Sequence, residues 1–446
     1  MAETDTARID TARIDEIDHG RRNLWATSLA SFLTDISSEM VVHLLPLYLA
    51  GALGLKTAWI GLIEGMAKTV ASLVKIGSGW LSDRLRGRKW LAVAGYALST
   101  LAKPFYAVAE TGSGIAAVRW SERVGKGVRT APRDALLADS AAKSRRGLVF
   151  GLHRAADTLG AVVGLGVAII AVLALQGDVA RLDGETFRQL VWWSLVPAVV
   201  AVVVLALMAR EVPPPPKGLG QATTDGETDG DGEKGLGRAF WGFLAVLGLF
   251  ELGNSADAFL VLRAAERGAA VPTVLGMLLV FNLVYAFSSA PGGWLSDRWG
   301  RRRVLAAGWL LYAGVYLGFA LTHGAETLWL FFGLYGLYYG LTLGTAKALV
   351  ADVVPASQRG LAYGWLAATL GLFDLPASVI AGVLWQGLFD WPGFGPSAPF
   401  LFGAVMAVVA AIILFSFGRF FGISVTAAAG RQGAPGVQNR PDSPNF

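Results

Sequence analysis

The chain has 446 residues, 54% of them hydrophobic and 16% charged, with a formal net charge of +5. A soluble globular chain carries roughly 25% charged residues, so the composition argues against a water-soluble domain. The absence of cysteine excludes disulfides, thiolate metal sites and cysteine nucleophiles.

Residues 1–22 are polar, carry the echo TARIDTARID at 6–15 and have no apolar signal-peptide core; they read as a disordered tail. Twelve mostly apolar stretches then follow at 24–52, 57–82, 88–109, 113–138, 147–175, 187–209, 238–263, 271–296, 302–322, 326–351, 361–387 and 396–421. Leu190–Met208 and Phe400–Phe417 contain no charge, and about 20 such residues span a bilayer as a helix. The Pro-rich, then Gly/Asp/Thr-rich segment EVPPPPKGLGQATTDGETDGDGEKG (211–235) has no apolar face and reads as a linker. The expected fold is an all-α membrane protein, with twelve transmembrane helices in two six-helix repeats. Its parts are a tail (1–22), an N-terminal bundle (23–210), a flexible linker (211–237), a C-terminal bundle (238–421) and a second disordered tail (422–446).

Basic residues in short loops orient such a chain. Arg84, Arg86, Arg88 and Lys89, then Lys143, Arg145 and Arg146, then Arg298, Arg301, Arg302 and Arg303, and finally Arg359, all fall on one side. The opposite loops mix Lys56, Arg181, Arg188 and Arg267 with Asp178, Asp183, Glu185 and Glu266. The expectation is a multi-pass plasma (inner) membrane protein with both termini and the linker in the cytoplasm.

The halves repeat. GWLSDRLRGRK (79–89) matches GWLSDRWGRRR (293–303), with one extra residue in the first copy. ALLADSAAKSRRGLVFG (135–151) matches ALVADVVPASQRGLAYG (348–364), and Phe32, Ser37 and Glu39 match Phe250, Ser255 and Asp257. Two parallel repeats with a midplane site between them describe a secondary transporter.

The doubled GxLsDRxGRR loop resembles the signature of the major facilitator superfamily, over about residues 20–420. Arg123, Lys126 and Gly127 are similar to that superfamily's Arg-containing motif, with Arg129 in place of its last Gly. GLHRAADTLGAVVGLG (151–166) resembles its antiporter motif through Gly151, Gly160 and Gly164; Leu165 replaces the Pro and the final GG is absent. The resemblance implies alternating access, and its partial antiporter motif implies the branch of drug and small-molecule proton antiporters. It also implies a gating role for the loops at Gly79, Asp83, Arg84, Arg88, Gly293, Asp297, Arg298 and Arg301, with Asp83 and Asp297 bridging helices across the cytoplasmic seam.

The fourth stretch, RWSERVGKGVRTAPRDALLADS (119–140), is the most charged. It is no nucleotide loop: GKGVRT has Gly127 where a P-loop needs Ser or Thr, Trp120 stands at the first Gly position, and no strand precedes it. At about 100° per residue, Arg119, Glu122, Arg123, Lys126, Arg129, Arg133 and Asp134 share an arc of about 140°. Such a stripe is tolerable only against a wet cavity or paired across helices. Arg119, Arg123, Lys126, Arg129, Arg133, Asp134, Asn254 and Lys347 are therefore the candidates for the substrate cavity, and the excess of Arg suggests an anionic or zwitterionic substrate. Asp35, Glu39, Asp257, Asp157 and His153 are the proton-coupling candidates, since burial and nearby cations push a carboxylate's proton affinity in opposite directions. The competing structural reading is that these groups only neutralise the stripe.

No nucleophile–base pair is visible, and His19, His43, His153 and His323 lack metal-ligand spacing; neither an enzyme nor a cofactor or metal is expected. The expected function is proton-coupled efflux of a small organic molecule or drug. Uptake of an organic acid by proton symport is the first alternative; a non-transporting membrane sensor or a lipid flippase is the second. The expected partners are a small-molecule substrate, protons and the lipid bilayer, without nucleic acid, for a monomer.

Overall fold

A computed structural model describes residues 2–85, 87–140, 146–211, 236–354 and 358–420. The described residues form fifteen helices: α1 (Ala2–Val42), α2 (Leu45–Gly51), α3 (Thr57–Leu85), α4 (Arg88–Ala102), α5 (Phe105–Val108), α6 (Gly112–Asp139), α7 (Arg146–Leu175), α8 (Gly184–Met208), α9 (Gly237–Leu252), α10 (Ala258–Glu266), α11 (Val271–Trp299), α12 (Arg301–Leu321), α13 (Leu328–Val353), α14 (Arg359–Gln386) and α15 (Ala398–Phe420). Three pairs are single rods with a break. α1 runs into α2 across His43 and Leu44, α4 into α5 across Lys103 and Pro104, and α9 into α10 across 253–257. Twelve rods result, six on each side of the segment 212–235, which lies outside the described residues together with 421–446.

The breaks have local causes. Pro104 and Pro46 remove helical N–H donors, and Pro46 sits in the first turn of α2, where that loss is harmless. Asn254, Ser255 and Asp257 offer side chains that compete with helical backbone bonding. Pro132, by contrast, lies inside an unbroken α6. The stretch expected as a disordered tail at 1–22 continues α1 back to Ala2; it holds no Pro, and no Gly before Gly20, so nothing in it stops a helix.

Among the described residues, seven helical stretches are long and apolar enough to cross a membrane by length and composition alone. The remaining rods carry the charges of α1, α3 and α6, the break of α9–α10, or the Tyr- and Gly-rich sequence of α13. Leu101, Ile170, Leu207, Phe287 and Phe415 point outward, each more than two-thirds exposed. A belt of this kind is stable only against lipid.

The N-terminal bundle is pinned at the end bearing the termini. Arg22 donates to Met208 O at 2.7 Å, and Asn23 donates to Ser140 Oγ at 2.8 Å and Arg210 O at 3.0 Å. The bundles meet through α3 against α14 and α7 against α11. Their close approaches gather towards the opposite end, where Thr57 N donates to Gln386 Oε1 (2.8 Å), Lys56 to Phe389 O (3.2 Å) and Val271 N to Val179 O (2.9 Å). A Cβ at Gly61 or Gly382 would fall 2.2 or 2.5 Å from the facing helix, so these glycines set the α3–α14 contact. The contact continues through the middle, where Thr69 donates to Gly371 O (2.6 Å) and Arg154 to Tyr285 OH (3.0 Å); nearer the termini, Lys75–Gly77 of α3 and Ser289–Pro291 of α11 are exposed.

Candidate functional site

The site begins with α6. Gly125 and Gly127 flank Lys126; a Cβ at Gly125 would meet Ser99 Oγ at 2.4 Å, and one at Gly127 would meet Val74 Cβ at 2.7 Å. The two glycines let α4 and α3 close on α6 from two sides, and Lys126 between them lines a pocket. The charged stripe then divides by partner. Arg119, 1% exposed, donates from Nε to Glu64 Oε1 (3.0 Å), from Nη2 to Glu64 Oε2 (2.6 Å) and from Nη1 to Glu122 Oε2 (3.2 Å). Tyr106 also donates to Glu122, at 2.9 Å. Arg129 donates to Ser99 Oγ (3.0 Å) and lies 4.6 Å from the centroid of the Tyr96 ring. Arg133 holds Asp134 (2.8 Å) and Ser31 (2.8 Å). Arg123 and Lys126, unlike the other cations of the stripe, make neither an ion pair nor a side-chain hydrogen bond among the described residues, and Arg123 Nε is buried with no acceptor.

A pocket opens where they point. α1 lines it with Asp35, Ser38, Glu39 and Val42, α4 with Ser99, and α6 with Glu122, Arg123, Lys126 and Arg129. Val42 is the one apolar member of that lining. Asp35 makes no hydrogen bond or ion pair among the described residues, while Glu39 pairs with His43 at 2.7 Å. α7 presses α1 into place: a Cβ at Gly160 would lie 2.4 Å from Phe32 O, and one at Gly164 would lie 2.6 Å from Ile36 O and 2.9 Å from Glu39 Cβ. The antiporter-like glycines thus set the helix that carries Asp35 and Glu39. Gly151 has open space around it and makes no such contact.

The other candidates are spread out. His153, 4% exposed, has no hydrogen bond on either ring nitrogen and lies 3.9 Å from Asp157, whose Oδ1 is also buried without a partner. Asp257 stands at the α9–α10 break in the other bundle and accepts from Tyr335 OH at 2.9 Å. Asn254 donates to Glu251 at 2.9 Å. Lys347 is exposed on α13 without an ion pair.

Several groups outside the candidate set also stand in or beside the site. Lys103, 2% exposed, donates to Ser37 and, at 3.4 Å, to Ser38, with no carboxylate within ion-pair reach. Its place in the α4–α5 break, just before Pro104, was the available signal. Lys68 of α3 and Asp374 of α14 pair across the two bundles at 3.0 Å. Glu251 is buried with Asn254 as its hydrogen-bond donor. Around it Tyr312, Tyr316, Tyr335 and Tyr338 stack among themselves and against Phe250.

The signature loops form brackets. Arg88 pairs with Asp139 and also donates to Ala135 O at 3.1 Å; in the other half Arg301 pairs with Asp352 at 3.2 Å. The acid that reaches across helices is therefore the one ending ALLAD and ALVAD. Asp297 pairs with Arg301 within its own loop, and the side chain of Asp83 lies outside the described residues. The extra residue in the first copy leaves Gly87 at φ −116°, whereas Gly300 takes φ +94°, a conformation that favours glycine. Arg84 and Arg298 lie over Trp80 and Trp294, at 5.3 and 5.5 Å from the ring centroids. Gly79 and Gly293 crowd no neighbouring backbone.

Twelve rods in two matching halves, with apolar side chains on their outer faces and a charged pocket within the N-terminal half, have the build of a multi-pass membrane transporter. The chain belongs to the Major Facilitator Superfamily, whose model matches residues 27–263 and again 239–436. It is 33% identical over 401 residues to an uncharacterized MFS-type transporter of Methanocaldococcus jannaschii, covering 88% of this chain and 94% of that one. Over 148 residues it is 31% identical to the class B tetracycline resistance protein of Escherichia coli, covering 32% of this chain and 34% of that one. Among solved structures it is similar to a bacterial homolog of the human lysosomal transporter Spinster, inward-facing and unoccupied, at TM-score 0.69 and 17% identity. That match covers 90% of this chain and 98% of the other.

Proposed function

We propose that the chain exports a small polar organic molecule in exchange for protons, by rocking of its two bundles, and that Arg123 and Lys126 hold the anionic group of the substrate. The observation that carries this reading is the division of the stripe. Arg119, Arg129 and Arg133 have partners within their own bundle, whereas Arg123 and Lys126 face the pocket without an ion pair. Lys126 is exposed, but Arg123 Nε is buried without an acceptor, which is costly unless something else compensates it. A bound anion does so, and forks well onto a guanidinium.

The almost wholly polar lining supports a small charged substrate over a lipophilic drug or a lipid. Basic residues concentrate in the loops at the end bearing the termini, which supports a cytoplasmic placement of that end. Substrate then enters from the cytoplasm. Efflux draws further support from the tetracycline-resistance relative and from Gly160 and Gly164, which seat α1 against α7. Asp35 has no fixed partner and serves as the proton carrier, with Asp157, beside His153, as a second carboxylate on the same side.

The test is transport by purified protein in liposomes under an imposed pH gradient, across a panel of small organic anions, zwitterions and cations. Gradient-driven movement that vanishes when Asp35 is replaced by Asn is expected. Movement insensitive to the gradient contradicts proton coupling.

A further inference from the structure

We infer that the substrate of this pocket is a small zwitterion of the amino-acid type, with an ammonium group received by Asp35 and a carboxylate received by Arg123 and Lys126. The inference rests on the proposed transport function and sharpens it. Three of the nine lining side chains are carboxylates and three are cations. A site shaped for a plain anion would carry surplus positive charge; this lining balances.

The signs are also separated in space. Asp35 and Glu39 belong to α1, while Arg123, Lys126 and Arg129 belong to α6. Glu39 is taken by His43, Glu122 by Arg119 and Tyr106, and Arg129 by Ser99 and Tyr96. What remains is one carboxylate on one wall and two cations on the other, with no ion pair closing between them. Opposite charges placed for structure alone would meet, because Coulomb attraction at contact is strong in such surroundings. Arg123 Nε, buried and without an acceptor, is a donor that a carboxylate oxygen can satisfy. A bare anion would lie beside three carboxylates and a bare amine beside three cations, whereas a zwitterion satisfies both walls.

The arrangement also supplies a coupling device. Asp35 can hold a proton or face the substrate's ammonium, but the two compete for one carboxylate. Arrival of substrate releases the proton and release of substrate readmits one, as exchange requires. The group's neighbours are Glu39 on its own helix, Asp157 on α7, and Lys126 and Arg129 on α6; none of them forms an ion pair with it.

The experiment is exchange in proteoliposomes of the full chain. Each radiolabelled proteinogenic amino acid is run beside its 2-hydroxy-acid analogue, which lacks the amine, and beside its decarboxylated amine. At least one amino acid should exchange tenfold or more faster than both analogues. Asp35→Asn should erase the preference over the hydroxy acid, and Asp35→Glu should keep it, with gel filtration confirming that both variants are monodisperse. A hydroxy acid that exchanges as fast as its amino acid, with Asp35→Asn slowing both alike, overturns the zwitterion and leaves the anion reading standing. Exchange of no amino acid by a monodisperse preparation also overturns it. Transport unchanged by Arg123→Gln and by Lys126→Gln removes the proposed function itself.

Discussion

α6 and α13 occupy the same position in the two halves, and both end in the ALxAD turn. Their interiors share little. α6 threads Arg119, Glu122, Arg123, Lys126 and Arg129 between α3 and α4, held by Glu64, Tyr106 and Ser99. α13 carries Tyr335, Tyr338 and Tyr339 in an aromatic cluster with Phe281 and Tyr312. The common scaffold is therefore preserved by features at the helix ends and by close-packing glycines, while the middle of each helix has been free to diverge. One half holds a pocket of fixed charges. The other is a stacked aromatic wall whose carboxylates, Asp257 and Glu251, are met by Tyr335 and Asn254.

The difference is sharpest at Arg119. Arg119→Leu leaves Glu64 and Glu122 buried without their cation, and truncating one partner of a buried pair typically costs about 3–5 kcal/mol. Thermal unfolding in detergent should show a large loss. Tyr335→Phe, in the matching wall, removes one hydrogen bond and should cost about 0.5–1.5 kcal/mol. Equal losses would break the contrast between charged and aromatic halves.

Next in size is the seam that seats α1. Gly164→Val forces side-chain atoms into Ile36 O and Glu39 Cβ and should destabilise by about 1–3 kcal/mol, with transport falling at least as steeply. Gly151→Ala, in open space on the same helix, should leave melting and transport near wild type. A tolerant Gly164 would mean that the antiporter-like run does not position the carboxylates of α1.

The smallest effects belong to the paired brackets. Arg88 and Asp139 are about a fifth exposed, while Asp352 in the second bracket is 54% exposed. Exposed ion pairs contribute about 0–1 kcal/mol. Asp139→Asn should therefore lower stability more than Asp352→Asn, both by modest amounts in chemical unfolding. The reverse order would show that the first bracket is not the tighter one.

Much of this was legible in the sequence. Hydropathy placed eleven of the twelve rods to within a few residues, because spanning helices need long apolar runs; it missed the polar extension of α1 back to Ala2, and the doubled motifs marked the two halves. The α6 stripe was legible as one face because helical periodicity is local. Which of its cations lack partners was not, because Glu64, Ser99 and Tyr106 come from other rods and only packing brings them in. The same holds for the Lys68–Asp374 pair across the bundles. The rod breaks were hidden by apolar flanks: a hydropathy profile passes over Lys103–Pro104 and over Asn254–Asp257 without a dip long enough to register. The Asp139 and Asp352 brackets had a visible sign in the repeated ALxAD ending, but the partner Arg could be named only once the loop geometry was known.

The central claim is that Arg123 and Lys126, alone among the α6 cations, exist for the substrate. The direct measurement is half-saturation for exchange and the melting temperature on the same preparations of Arg123→Gln and Lys126→Gln. The account predicts a tenfold or larger rise in half-saturation with melting shifted by no more than about 2 °C, the scale of a sub-kcal/mol change in a protein of this size. Unchanged half-saturation, or a melting loss as large as that of Arg119→Leu, would contradict it.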